Sequence, residues 1–314
     1  DKIYDKGTSA GGLKSKIFLW ALGVNKAKKD IGKPSGLKEI IADKLVFSKW
    51  REGLGGNIIT LVSGSAALSP RLNKMFQNAG IPILEGYGLT ETSPVISVNS
   101  FGKIKIGTVG HVLENLEVKI QEDGEITVKG PSVFKGYFKN DEMTKDVFTE
   151  EGFFRTGDIG HIDDEGYLHI TDRKKEMFKT SGGKYIAPQA LENMAKASKF
   201  IEQIMIVGDG EKMPCALIQP DFNFAQNWAE RKGINIGSTP QEIAANPQLI
   251  ARIGKEIDYL NTKLGSWEQV KKFELTPQIW SIETGELTPT LKLKRKIVKE
   301  KYIQLYNKMY GHDN

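Results

Sequence analysis

The chain has 314 residues, with 39% hydrophobic and 26% charged side chains and a formal net charge of +5. That length holds two domains of ordinary size, and that balance is typical of a globular protein with a core. The charge suits anionic ligands but is too small to argue for nucleic acid. The single cysteine, Cys215, excludes an internal disulfide and fits a reducing compartment. No run of about 18 apolar residues exists to span a membrane.

The opening, residues 1–12, has no leader pattern and no Met and starts in polar helical sequence, so a piece of a longer protein is expected. Residues 12–53 are predicted helical. Ile40, Ile41, Leu45 and Trp50 are spaced as one apolar face, and the cluster Gly53-Leu54-Gly55-Gly56 stops the run. Residues 57–62 read as a strand and residues 63–65 as a loop. Ser69 reads as an N-cap with Pro70 at the first helical position, Gly80 as the helix end, and residues 81–84 as a second strand. Strand, loop, helix and strand in that order predict a parallel α/β sheet, cut off on its N-terminal side.

From about residue 102 the pattern alternates with period two. Leu116, Val118 and Ile120 lead through the turn pair Asp123-Gly124 to Ile126 and Val128, which is a hairpin. A second hairpin joins residues 160–162 to 167–170 across Asp163-Asp164-Glu165-Gly166. The charged run Asp172-Arg173-Lys174-Lys175-Glu176 reads as a solvated linker. Beyond it come strands at 203–207 and 215–219, a helix from Pro247 to about Leu264 with Leu249, Ile253, Ile257, Leu260 and Leu264 on one face, and a basic C-terminal helix. The expected fold class is thus α/β and α+β. Residues 1–174 comprise a partial parallel sheet (1–101) and a small antiparallel, barrel-like unit (102–172), and residues 175–314 a small mobile α+β domain.

Four segments could carry chemistry. Glu85-Gly86-Tyr87-Gly88-Leu89-Thr90-Glu91-Thr92 follows a strand, where ligands of parallel sheets bind. Its glycines admit a planar ligand, Thr90 offers a hydroxyl to a phosphate, and Glu91 offers a hard oxygen to Mg2+. Asp158, at the end of Gly152-Phe153-Phe154-Arg155-Thr156-Gly157-Asp158, could accept the hydroxyls of a ribose. The charged run continues into Ser181-Gly182-Gly183-Lys184, and Leu287-Thr288-Pro289-Thr290-Leu291-Lys292 precedes the basic helix. Taken alone, these read as a Gly-rich turn with a capping Thr, a turn-forming Asp, a flexible linker with a hairpin turn, and a basic surface tail. Cys215 sits in an apolar run and reads as a core thiol. His111, His161, His169 and His312 lack metal-ligand spacing.

In order and spacing together, these segments and the intervening Gly-Glu-Ile-x-Val-x-Gly resemble the adenylate-forming superfamily over nearly the whole chain. Residues 179–188 and 287–292 are similar to its long-chain fatty-acid–CoA ligase branch; the Ser-Gly-Lys of short-chain and aryl branches is absent. The resemblance implies ATP-dependent activation of a fatty acid through an acyl-adenylate and transfer to coenzyme A, with ATP and Mg2+ as cofactors and coenzyme A as a co-substrate. It implies that Gly64, Ser65, Ala66, Gly86 and Tyr87 flank the adenine, that Thr90 contacts the α-phosphate, and that Glu91 holds Mg2+. It further implies that Asp158 and Arg173 bind the ribose and that Lys175 is the hinge of a swinging domain. Lys292 would bridge carboxylate and phosphate, and Gly182, Gly183 and Lys184 would line the coenzyme A channel. The family's Gly/Ser/Thr-rich phosphate loop and most of its acyl-binding domain are not in this sequence, so this polypeptide alone is expected to be inactive. Ala190, where many relatives have a carboxylate, is expected to matter little.

Other readings stay open: a ligase for a different acid, one that stops at the acyl-adenylate, or a non-catalytic domain that binds nucleotide or a partner. Retention of Glu91, Asp158, Arg173 and Lys292 together argues against the last. The expected partners are small molecules and no nucleic acid, at a cytoplasmic location, with weak peripheral contact to the inner membrane surface left open. Seven Lys/Arg against three Asp/Glu from Glu286 onward suit such contact.

Overall fold

A computed structural model describes residues 2–9, 11–28, 31–32 and 34–312. Of the stretch expected to be helical, 29, 30 and 33 lie outside the described residues, as do 1, 10, 313 and 314. Two compact units emerge, the first from residues 1–117, 130–135 and 163–169, the second from residues 118–129, 136–162 and 170–314.

The first unit opens with helices α1 (Lys2–Ser9), α2 (Gly12–Ala27) and α3 (Leu37–Ala42). A π-helical turn (Asp43–Phe47) and α4 (Ser48–Gly53) follow. The expected apolar face packs only in part, through Trp50, whose ring rests against Phe18, Phe47 and Phe76. Ile40, Ile41 and Leu45 are exposed, and Ala42, Val46 and Phe47 are buried with Phe18 and Ala21 of α2. The π-helical turn shifts the phase only of residues from Asp43 onward, so it bears on Leu45 and not on Ile40 and Ile41, which lie before it. Arg51 locks the turn, donating to both Asp43 carboxylate oxygens at 2.7 and 2.8 Å and to the Ala79 carbonyl at 2.6 Å.

Next come β1 (Leu61–Ser63), α5 (Pro70–Asn78), β2 (Ile83–Gly88), a 3-10 turn (Thr90–Thr92), β3 (Val95–Val98) and β4 (His111–Val112). They form one sheet in the order β1-β2-β3-β4, with β1 and β2 parallel and the other pairs antiparallel. Pro70 starts α5 as expected, but Ser69 makes no side-chain cap and its buried hydroxyl has no partner among the described residues.

The four-stranded sheet β5 (Glu117–Ile120), β6 (Glu125–Lys129), β7 (Phe154–Ile162) and β8 (Leu168–Arg173) lies almost wholly in the second unit, with α6 (Asp141–Asp146) between β6 and β7. The Asp123-Gly124 turn forms as predicted, Gly124 taking φ 82°.

The rest of the second unit comprises β9 (Phe178–Lys179), β10 (Tyr185–Ile186), α7 (Pro188–Ala195), β11 (Ile201–Val207), β12 (Cys215–Pro220), α8 (Phe222–Lys232), α9 (Pro240–Ala245), α10 (Pro247–Asn261), β13 (Lys272–Leu275), α11 (Arg295–Lys301) and α12 (Ile303–Tyr310). Strands β11, β12 and β13 form a sheet whose alternation sorts two cores. Ile204, Ile206, Ala216 and Ile218 join Leu191 of α7 and Leu249, Ile253 and Ile257 of α10. Met205, Val207, Cys215 and Leu217 join Trp280, Val298, Tyr302 and Tyr306. Cys215 is therefore a core thiol, its ionisation pushed up by burial.

Candidate functional site

In the first unit the parallel register Leu61↔Ile83, Val62↔Leu84 and Ser63↔Glu85 brings the ends of β1 and β2 side by side. Gly64, Ser65 and Ala66 leave β1 next to Gly86 and Tyr87. A side-chain carbon on Gly64 would lie 3.4 Å from the Gly86 carbonyl oxygen. Ser65 adopts φ 64°, and the loop bends at residues 65 and 66. At Gly88 a Cβ would fall 1.8 Å from the Pro94 carbonyl oxygen, which only glycine permits. The turn after it is pinned by Thr92, whose buried hydroxyl accepts from the Leu89 amide at 3.0 Å and donates to the Pro94 carbonyl at 2.6 Å. Thr90 is left exposed and Glu91 half-buried, with the Glu91 carbonyl accepting from the Phe134 amide at 2.8 Å.

Glu85 opens the same segment without a role legible in the sequence. It is buried and accepts from Asn73 Nδ2 at 2.7 Å. Burial pushes its carboxyl up, while hydrogen bonds from Asn73 and from the Leu68 and Gly107 backbones pull it down. One carboxylate thus ties three segments around the Gly64–Ala66 loop.

In the second unit β7 and β8 bring Asp158 to Arg173, with Arg173 Nε 3.5 Å from Asp158 Oδ1. Asp158 is 6% exposed, whereas Arg173 is open to solvent. Glu125, another carboxylate the sequence does not single out, organises this neighbourhood. It accepts from the Gly157 amide at 3.1 Å and pairs with Arg155 at 3.3 Å and Lys174 at 2.8 Å.

The charged run is not the solvated linker its composition suggests. Asp172 is fully buried, one oxygen accepting from the Arg173 amide at 2.6 Å and the other from Gln189 in the first turn of α7 at 2.9 Å. Lys174 pairs with Asp123 and Glu125, and Glu176 accepts from Arg295 Nε at 3.0 Å. Lys175 is exposed between two anchored neighbours.

Gly182, Gly183 and Lys184 form the turn between β9 and β10. Gly183 has φ 80°, and Thr180 Oγ1 closes the loop on the Lys184 amide at 3.3 Å. Lys292 ends a second tight turn in which the Leu291 amide donates to the Thr288 carbonyl at 2.8 Å and the Lys292 amide to Thr288 Oγ1 at 3.0 Å. Among the described residues its ammonium pairs with no carboxylate, and no hydrogen bond or ion pair joins it to Asp158 or Arg173. Leu291 holds φ 60°, a conformation that costs a non-glycine residue about 1–2 kcal/mol. Leu291→Gly is therefore expected to leave stability unchanged or raise it by up to about 1 kcal/mol, the strain relieved being partly offset by glycine's unfolded-state entropy. A urea midpoint lowered by Leu291→Gly would show that the leucine side chain contributes packing there.

The structure thus gathers Gly64, Ser65, Ala66, Gly86, Tyr87, Thr90 and Glu91 within the first unit. Within the second it pairs Asp158 with Arg173, while Lys175, the Gly182–Lys184 turn and Lys292 occupy separate loops. A lone carboxylate such as Glu91, beside a hydroxyl, fits Mg2+, which takes one or two protein carboxylates and completes its shell with phosphates and water. Among the described residues no cluster of three or more His, Cys, Asp or Glu could form an all-protein metal cage.

Two family models match the chain, "AMP-binding enzyme" over residues 22–138 and "AMP-binding enzyme C-terminal domain" over residues 176–314. The chain is 41% identical over 275 residues to "Long-chain-fatty-acid--CoA ligase FadD15" of Mycobacterium tuberculosis, a match covering 86% of this chain and 46% of that protein. It is 35% identical to "Long chain acyl-CoA synthetase 6, peroxisomal" of Arabidopsis thaliana, covering 96% and 45%. Among solved structures, the adenylation domain of a carboxylate reductase from Mycobacterium chelonae superposes with a TM-score of 0.66 at 23% identity, covering 95% of this chain and 45% of that one. O-succinylbenzoate Coenzyme A Synthetase from Bacillus subtilis, in complex with ATP and magnesium ion, gives 0.57 at 24%, covering 76% and 46%. The chain spans about half the length of these relatives.

Proposed function

The chain belongs to the AMP-binding, adenylate-forming enzymes, and from that premise we propose that it is the part of a long-chain fatty-acid–CoA ligase that holds the nucleotide and supplies the mobile domain. The observation that carries the proposal is the register of β1 and β2, which sets a bent loop beside a glycine-tyrosine platform at the carboxyl ends of parallel strands.

In this reading adenine lies between Gly64–Ala66 and Gly86-Tyr87, and the ribose hydroxyls donate to Asp158, held by Arg173. Thr90 donates to an α-phosphate oxygen and Glu91 holds Mg2+, which neutralises charge on the phosphates. The fatty carboxylate attacks the α-phosphorus and pyrophosphate leaves. Two anions must meet in that step, so a cation is needed where charge develops, and Lys292 is the one assigned. In the second step the thiolate of coenzyme A attacks the acyl carbonyl and AMP leaves, with the Gly182–Lys184 turn lining the approach. We assign the exchange of the two turns to rotation at Lys175, because Lys174 and Glu176 on either side are anchored to different elements.

Among the described residues no helix is long and apolar enough to cross a membrane. Work on a lipid substrate in the cytoplasm, with weak contact at a membrane surface through the lysines of α11, completes the proposal.

The test is palmitate-dependent exchange of pyrophosphate with ATP, followed by thioester formation with coenzyme A. The longer enzyme containing these residues is expected to catalyse both and the 314-residue chain neither; a longer enzyme without exchange would overturn the reading. Asp158→Asn in that enzyme is expected to raise KM for ATP by about 10- to 100-fold, the loss of a hydrogen bond to a charged acceptor, with a smaller effect on kcat. An unchanged KM would remove Asp158 from the ribose site.

A further inference from the structure

The turn that carries Lys292 is the tip of a short antiparallel stem. Leu287 pairs with Leu293 across it, the Thr288 amide donates to the Lys292 carbonyl at 2.8 Å, and the Lys294 amide donates to the Glu286 carbonyl at 2.8 Å. Leu287 is buried with Trp280, Val298 and Tyr302, which seats the stem on the core. At the foot of the stem stands Glu286, a fully buried carboxylate with no part in the chemistry described so far. One of its oxygens accepts from the ammonium of Lys301, the last residue of α11, and from the Tyr302 hydroxyl at 3.4 Å. The other accepts from the Thr284 hydroxyl. Thr284 precedes the stem, and Lys301 and Tyr302 follow it, so one carboxylate fastens both ends of the Lys292 hairpin. Burial alone would raise the Glu286 carboxyl, but Lys301 and Thr284 outweigh it and hold the group below its ordinary value.

An apolar side chain of similar volume would be cheaper to bury than a charge, whereas directed hydrogen bonds from three groups fix how the stem leaves the core. We propose that Glu286 is a positioning residue for adenylation, acting through Lys292 by holding the stem so that the ammonium at its tip is presented in one place. The proposal rests on the ligase reading, in which Lys292 is the cation of the first step. A cation that stabilises developing charge has to be preorganised, and a displacement of about 1 Å caused from outside the site can cost about 100-fold in rate.

The test has two arms. In the 314-residue chain, Glu286→Leu keeps the volume and removes the hydrogen bonds. Hydrogen exchange of the Thr288, Lys292 and Lys294 amides is expected to speed up by about 10- to 100-fold, as for the loss of a hydrogen bond to a charged group, while the amides of β11 and β12 keep their wild-type rates. In the longer enzyme, Glu286→Leu is expected to lower kcat for palmitate-dependent pyrophosphate–ATP exchange by about 10- to 100-fold with KM for ATP within a few-fold. Thioester transfer from preformed acyl-adenylate should stay within a few-fold. Glu286→Gln, which can still bond Lys301, Tyr302 and Thr284, is expected to restore most of the rate. On a Lys292→Ala background Glu286→Leu should add no more than a few-fold, since nothing is left to position. Should Glu286→Leu fail to fold, Thr284→Val at an exposed position removes one donor and is expected to slow adenylation by about 3- to 10-fold. Adenylation indifferent to these changes, equal loss in both half-reactions, or a full additional loss on the Lys292→Ala background would overturn the positioning role alone. A longer enzyme that lacks pyrophosphate exchange before any substitution removes the ligase reading, while the amide rates still report whether Glu286 fixes the stem.

Discussion

Arg295→Ala is expected to destabilise the second unit by about 3–5 kcal/mol, the range for removing one partner of a buried ion pair. Arg295 Nη2 donates to Glu192 Oε2 at 2.7 Å and Nε to Glu176 at 3.0 Å, while Glu192 Oε1 accepts from the Ile206 amide at 2.7 Å. Glu192 is 4% exposed, so without the guanidinium its charge has no water and only the weaker pull of Lys196. Burial already pushes the Glu192 carboxyl up against the opposing pull of Arg295, and removing that pull pushes it further. A carboxyl raised in the folded state contributes stability that is full below its unfolded pKa of about 4.3 and is lost as pH rises through the folded value. The destabilisation should therefore be larger at pH 8 than at pH 5, where the orphaned carboxyl takes up a proton more readily. Urea unfolding at both pH values measures it, and Glu192→Gln added to Arg295→Ala should recover part of the loss. A shift under about 1 kcal/mol at both would mean that Glu192 is not left as an uncompensated buried charge, against the role given to Arg295. The same guanidinium also holds Glu176, so in the proposed reading, with the hinge at Lys175, Arg295→Ala would also free one side of the hinge.

Lys292→Ala in the longer enzyme is expected to lower the adenylation rate by about 100- to 1,000-fold, the loss seen when one preorganised charge stabiliser is removed from a site. Thioester transfer from preformed acyl-adenylate should stay within a few-fold, because a thiolate attacking a neutral carbonyl does not require that cation. The Lys292 backbone is held on both sides by Thr288, and among the described residues its ammonium pairs with no carboxylate, so the charge is available to a substrate. Pyrophosphate exchange reads the first step, and product formation from synthetic palmitoyl-adenylate and coenzyme A reads the second. Equal loss in both would count against the role given to Lys292 and for a structural role of its turn.

The sequence by itself determined what depends on neighbours within a few residues. The Asp123-Gly124 hairpin turn, the helix starting at Pro247 with its buried stripe Leu249, Ile253, Ile257 and Leu260, and the strands at 203–207 and 215–219 are all legible from spacing and backbone preference. The family was legible too, because its motifs are short contiguous segments in a fixed order. Only the tertiary structure decided the rest. Which apolar residues of the first helices pack was set by contact with α2: Val46 and Phe47 are buried there, while Ile40 and Ile41 are exposed. Ser69 reads as a cap by type, yet its hydroxyl was buried without a partner, since capping depends on rotamer and surroundings as well as on residue type. Asp172 lies in a run of charge and is nonetheless buried, because the amide of Gln189, 17 residues on, reaches it. Glu192 and Arg295 meet across 103 residues of chain, and Glu85 and Glu125 join loops that sequence distance separates. Such pairings follow from how strands and helices stack, a property of the whole chain that a local window of residues does not carry.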